Sequence, residues 1–281
     1  MRRLLPKLPL ANWVNAFTQW LTTVLGPFLG GVSNVVKSVV DGVSVGLQHV
    51  PWWVIVIVFV VLAWRAAGWK LALGTLIGLV FVWDLRLWNH MIITLVMVIL
   101  SALVSVLIGL PLGIWSARST RVHSFISPIL DLMQTMPAFV YLVPVLLLFS
   151  IGMVPAIFAT VVFAMPPAVR LTRLGILQVP AQLVEAARAF GTSDKQLLWK
   201  VQLPLAMPSI KAGINQTIML ALSMVVIASM VGAGGLGADV MQSLETVNVG
   251  TGVESGLSIV ILAIVLDRIS QKLGTPKKRT A

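Results

Sequence analysis

The sequence predicts an all-α, polytopic membrane protein with about seven spanning helices, within a range of six to eight. Three observations carry that prediction. Only 10% of the 281 residues are charged while 58% are hydrophobic. A soluble domain usually carries about 25% charged residues, so lipid must cover much of this surface. Apolar runs near spanning length recur after residue 50. Lysine and arginine gather in alternate connections between those runs.

Taken in order, the N-terminus MRRLLPKLPLANW is basic but lacks a long apolar core and a small-residue cleavage site, so it reads as retained. Residues 10–48 mix apolar residues with several glycines and with Asn12, Asn34, Lys37 and Asp41. An amphipathic helix lying in the interface fits this segment better than a span. That assignment counts the N-terminus outside, whereas Arg2, Arg3 and Lys7 favour the inside. A crossing over 12–32 adds one span. The chain divides into an N-terminal segment, 1–50, and a membrane-spanning domain, 51–281.

A helix needs about 20 apolar residues to cross the hydrocarbon. The runs 51–67 and 69–84 are short and joined by a tight basic turn at Arg65, Gly68 and Lys70. The runs 91–116, 125–149, 154–170, 209–232 and 254–272 follow. Trp52, Trp53, Trp64, Trp69, Trp83, Trp88 and Trp115 fall at or near run ends, where indole prefers the interface. That belt reading outweighs a ligand cage.

Orientation follows from basic residues. The connection 171–208 holds Arg173, Arg188, Lys195 and Lys200 and is cytoplasmic; the tail with Lys277, Lys278 and Arg279 is too. The connection 233–253 has Asp239 and Glu245 but no Lys or Arg, which suits the outer face. Counting back places Arg118 and Arg121 inside, 84–90 outside and the Arg65–Lys70 turn inside. No long repeat or low-complexity segment interrupts this order.

Several function classes drop out. The net charge of +11 reflects orientation, because no basic–aromatic interleaving suits nucleic acid. With no cysteine, disulfides and thiolate chemistry are excluded. His49, His90 and His123 share no ligand spacing, so no metal site is expected. No lysine follows a glycine, so there is no P-loop and any ATP is hydrolysed by another polypeptide. Gly232, Gly234 and Gly237 spell G-x-G-x-x-G, but no strand precedes them, and a tight turn or hinge is the reading. No Ser/His/Asp grouping or carboxylate pair supports an enzyme.

The polar stretch VEAARAFGTSDKQLLWKVQLPLAMPSI breaks the apolar pattern. Pro180 suits a first helical turn, and AQLVEAARAF has high helix propensity. Gly191 supplies a left-handed closing position. Ser193 and Gln196 form a capping box for a second short helix, which Pro204 is expected to end. Leu183, Ala187 and Phe190 share one face; Leu197, Leu198 and Val201 are the apolar residues of the second helix. The product is an exposed cytoplasmic knob, with small Ala186 and Ala187 admitting a close partner.

The pattern Glu185-Ala186-Ala187, three residues, Gly191, nine residues, Val201, one residue, Leu203-Pro204 resembles the signature loop of ABC importer permeases. Valine stands where isoleucine is usual. The stretches PILDLMQTMPAFVYL (128–142), FAMPPAVRLT (163–172) and GINQTIMLALSMVVIASMVGAGGLG (213–237) resemble permeases for glycine betaine, proline betaine and choline. The resemblance covers most of 50–272. It implies a type I importer architecture and a homodimer in the bilayer. It also implies a separate ATP-binding cassette ATPase, which uses ATP and Mg, and an extracytoplasmic substrate-binding protein. Glu185, Ala186, Ala187, Gly191, Val201, Leu203 and Pro204 would then couple the ATPase to the spans. No cofactor is expected on this chain.

Pathway residues are read from polarity. A charge in mid-membrane usually marks a pathway or a pairing. Asp131, followed by Gln134, Thr135, Met136 and Pro137, is one candidate. The alternative pairs Asp131 with Arg118 or Arg121 near the cytoplasmic interface. Asn215, Met219, Ser223 and Val226 fall on one helix face. That face lines a conduit or glues two helices. Alternative functions are an ABC permease for another small solute such as an amino acid, and an ion-driven secondary transporter.

Overall fold

The computed structural model describes residues 10–272. The terminal basic clusters, Arg2, Arg3 and Lys7 at one end and Lys277, Lys278 and Arg279 at the other, lie outside the described residues. Every element among the described residues is helical.

Helix α1 (Leu10–His49) is one unbroken helix of 40 residues, with Pro27 inside it. At 1.5 Å per residue it is about 60 Å long, roughly twice the hydrocarbon thickness. It is long and apolar enough to cross a membrane, with little of it buried. It rests on the helices Trp88–Arg118, Ala138–Phe149 and Met153–Ala164.

Helices α2 (Trp52–Ala67) and α3 (Trp69–Asp84) form the expected hairpin. Gly68 turns it at φ 87°, a conformation that costs glycine little. Each helix has 16 residues, about 24 Å. Tryptophans bracket both helices, so indole rings reach the interface where the backbone falls short.

Helix α4 (Trp88–Arg118), the α7–α8 pair (Met153–Ala164 and Pro166–Leu177) and helix α11 (Leu203–Ala228) make the central bundle. Met91, Ile92, Met97, Val98, Ala159, Ala164, Met224 and Val225 fill its core. Water expulsion does not drive helices together in lipid, so close packing of small residues must. Gly113 shows this. A Cβ there would lie 2.7 Å from both Thr172 Cβ and the Val169 carbonyl oxygen on α8. Gly213 on α11 presses equally on α8, where a Cβ would stand 3.1 Å from the Pro167 carbonyl oxygen. Outward-facing Ile99, Leu103 and Leu107 stay exposed, as lipid-facing residues should.

The run 125–149 differs from the single span expected. It folds as α5 (Thr120–Thr135) and α6 (Ala138–Phe149), bent by 103° at Met136–Pro137. Pro137 has no N–H to offer the Met133 carbonyl, which faces it one helical turn back. The Tyr141 hydroxyl donates to that carbonyl instead. That carbonyl is therefore satisfied at the bend.

After α9 (Ala181–Ala189), a long helical run begins with the single turn α10 (Asp194–Gln196), continues through Leu197–Gln202 and α11, and kinks within Ser229–Ala233, where Val231 and Gly232 leave helical geometry. Helix α12 (Leu236–Glu245) and helix α13 (Val249–Lys272) complete the order; α13 packs on α2, α3, α11 and α12. Among the described residues, five helices are long and apolar enough to span, or six if the α5–α6 pair is one crossing. The short α2–α3 hairpin brings the count into the expected range.

Candidate functional site

The knob is built largely as its residues dictate. Pro180 sits just before α9, at φ −53° and ψ 129°. At its far end Gly191 adopts φ 76°. The Gly191 N–H donates to the Arg188 carbonyl at 2.9 Å and the Thr192 N–H to the Ala187 carbonyl at 3.2 Å. This paired arrangement is the Schellman closure, which requires a left-handed residue at that point. The Thr192 hydroxyl also donates to the Ala187 carbonyl.

The capping box is present. The Ser193 N–H donates to Gln196 Oε1 at 3.0 Å and the Gln196 N–H to Ser193 Oγ at 3.4 Å. Leu197 and Leu198 are buried, anchoring the knob to the bundle. Pro204, however, does not end the second helix. Residues Leu197–Gln202 take the wider π geometry, in which the Leu203 N–H reaches back to the Leu198 carbonyl. One extra residue per turn absorbs the proline ring, and the helix continues into α11.

The outer surface of the knob is left uncovered. Glu185 and Ala186 are exposed and Ala187 is half-buried. Phe190 is 91% exposed, and Leu183 and Trp199 are exposed as well. Val201 is half-buried, Leu203 buried and Pro204 exposed. Arg188 and Asp194 make a 3.5 Å ion pair, but both are open to solvent, so it adds little.

Asp131 lies about three turns into α5. It pairs with Arg170 of α8 at 2.6 Å, not with Arg118 or Arg121. The side chains are 63% and 40% exposed. Gln134 and Thr135 are exposed beside Asp131 and Met136 is half-buried. An ion pair this open faces water, polar headgroups or a second chain rather than lipid tails.

Asn215 is joined to α13. Its amide donates to Asp267 Oδ1 at 3.2 Å and its carbonyl accepts from Ser270 Oγ. Gln271 donates to the same carboxylate at 2.6 Å. Asp267 was not singled out from the sequence, since its value depends on a residue 52 positions away. Met219 is half-buried; Ser223 is exposed and donates to the Met219 carbonyl at 3.1 Å. The structure thus gathers Asp131, Gln134 and Thr135 on one open face and gives Asn215 a separate helix–helix contact.

The glycine cluster is a turn. Gly232, Gly234 and Gly235 all have positive φ. A Cβ on Gly235 would meet Thr94 Oγ1 at 2.4 Å. That hydroxyl accepts from the Leu236 N–H at 2.9 Å, and His90 Nδ1 meets the Asp239 carboxylate at 2.6 Å. Together these bonds fasten α12 to the outer end of α4. The sequence reading set His90 aside as a metal ligand and did not foresee this partner.

Comparison with known proteins bears on both regions. The model of the family described as "binding-protein-dependent transport system inner membrane component" matches residues 109–273. The chain is 50% identical over 274 residues to the glycine betaine transport system permease protein OpuAB of Bacillus subtilis (strain 168), covering 98% of this chain and 97% of that one. It is 49% identical over 267 residues to the glycine betaine/proline betaine transport system permease protein ProW of Escherichia coli (strain K12), covering 95% of this chain and 75% of that one. Among solved structures, the inward-facing MetNI methionine ABC transporter has a chain with TM-score 0.59 and 27% identity, covering 64% of this chain and 90% of that one.

Proposed function

The chain belongs to the binding-protein-dependent transport system inner membrane components, and on that premise we propose that it is the permease of an ATP-driven importer for glycine betaine and similar quaternary-amine osmolytes. The likeness to the Bacillus subtilis permease along nearly the full chain supports the substrate class. The observation that carries the mechanism is the uncovered knob. A rigid, capped helix pair with Phe190 91% exposed has the form of a surface that another subunit covers.

In this reading Glu185, Ala186, Ala187 and Gly191 meet the ATPase, while Val201, Leu203 and Pro204 pass its motion into α11. The nucleotide and its Mg are held by that ATPase, not by this chain. Two copies of the permease face each other, and the open wall with Asp131, Gln134, Thr135 and Arg170 lines the route between them. A binding protein delivers solute at the outer face, near the α12 turn. Methionine and aromatic surfaces suit a quaternary ammonium, which asks for few hydrogen bonds.

The test is reconstitution in liposomes with the cognate ATPase and binding protein, following labelled glycine betaine. ATP-driven uptake, competed by proline betaine or choline and not by an unrelated amino acid, is expected. Full-rate uptake without the ATPase would overturn the reading.

A further inference from the structure

The outer ends of α1, α2, α3 and α4 meet around a cavity of about 660 Å³ that has no part in the transport route described above. It lies outside residues 109–273, the stretch that the family model matches. Trp52 and Trp83 stack there, with ring centroids 4.5 Å apart and planes 24° from parallel. Trp88, nearly buried, lines the same cavity. These rings therefore do more than mark the interface, as Trp64, Trp69 and Trp115 do on exposed helix ends.

Asp84 and Arg86 also line the cavity. Neither makes an ion pair among the described residues. Arg86 is unusual in its backbone. The Arg86 N–H donates to the Trp83 carbonyl at 3.0 Å and the Leu87 N–H to the Val82 carbonyl at 3.3 Å. That is the same helix closure that Gly191 makes in the knob. Here the left-handed position, at φ 60°, is filled by arginine. Glycine would adopt it freely, whereas arginine is strained. The Arg86 side chain thus lines the cavity two residues from a carboxylate and together with the stacked indoles.

Opposite charges left unpaired next to aromatic faces match one ligand chemistry. We propose that this cavity binds a small zwitterion bearing an organic ammonium and an anionic group. The ammonium sits against the tryptophans and Asp84; the anion is held by Arg86. Such a zwitterion is either a free betaine-type solute or the headgroup of phosphatidylethanolamine in the outer leaflet, and the position at the helix ends is open to both.

The experiment uses the purified permease–ATPase complex without binding protein. One arm measures equilibrium binding of radiolabelled glycine betaine. The other follows adducts of short-chain phosphatidylethanolamine and phosphatidylglycerol by native mass spectrometry. Saturable binding of at least one zwitterion is expected, with weaker binding of the anionic lipid. Asp84→Asn and Arg86→Gln, both at exposed positions, should each weaken it at least tenfold. Uptake activity tests the transport role separately, so the two readings can fail independently. Equal binding by the variants, equal binding of phosphatidylglycerol, or no saturable binding of either zwitterion overturns the proposal.

Discussion

Replacing Gly191 by valine isolates the knob from the rest of the molecule. A Cβ at this position meets nothing within 4 Å, so the change adds no clash. What it adds is a conformational cost, because Gly191 sits at φ 76°. Forcing an ordinary side chain into the left-handed region costs about 1–2 kcal/mol, and a β-branched one lies at the upper end or beyond. At about 1.4 kcal/mol per factor of ten, the closed knob should lose roughly 5- to 30-fold in relative population. The bonds at stake are those of Gly191 to Arg188 and of Thr192 to Ala187. Asparagine tolerates the left-handed region and should lose far less, with alanine between. The assay is ATP-driven glycine betaine uptake in proteoliposomes containing the ATPase and binding protein, with permease insertion and thermal unfolding measured alongside. Uptake should fall in the order Gly, Asn, Ala, Val while unfolding temperatures stay level. Wild-type uptake in the valine variant, or equal loss in the asparagine and valine variants, would refute the reasoning.

Two further predictions concern the bundle. Gly113→Leu should lower the thermal unfolding temperature of the detergent-purified protein, since its Cβ would lie 2.7 Å from Thr172 Cβ and the Val169 carbonyl; overpacking of this kind costs about 1–3 kcal/mol. An unchanged unfolding temperature would refute the close α4–α8 contact. Asp131→Arg should cut uptake by at least tenfold, and the exchange Asp131→Arg with Arg170→Asp should restore much of it, because the 2.6 Å pair is remade with reversed polarity. Failure of the exchange to recover any activity would show that the two residues act separately.

What the sequence disclosed was local. Gly191, and Ser193 with Gln196, announce their roles within a few residues of chain, so the knob was legible down to its capping bonds. The α2–α3 hairpin was legible because tryptophan and Gly68 mark its ends. Long-range partners were not. Asp131 was matched with arginines nearby in the chain, whereas its partner Arg170 stands 39 positions away on α8. Asn215 offered two readings, and only the approach of α13 brings Asp267 beside it. Pro204 misled for a different reason. Proline normally stops a helix, but the π turn before it makes room for the ring, and no residue type announces such a turn. Pro137 was noticed, but neither the 103° bend there nor the Tyr141 hydroxyl reaching back to Met133 was foreseen.

If the knob is coupled to an ATPase as proposed, the long helical run 194–230, which ends where Val231 and Gly232 leave helical geometry, would serve as a push-rod. Its 37 residues, from 194 to 230, measure about 55 Å, more than the thickness of the hydrocarbon. A stiff strut of that kind delivers displacement at one tip to the other with little slack. Its compliant joints are the π segments near each end, Leu197–Gln202 and Ser229–Ala233. The inner joint sits where a motor would push, and the outer one where the glycine turn meets α4. A displacement at the knob end would then be delivered to the glycine turn at the other end, without any signal having to hop from side chain to side chain.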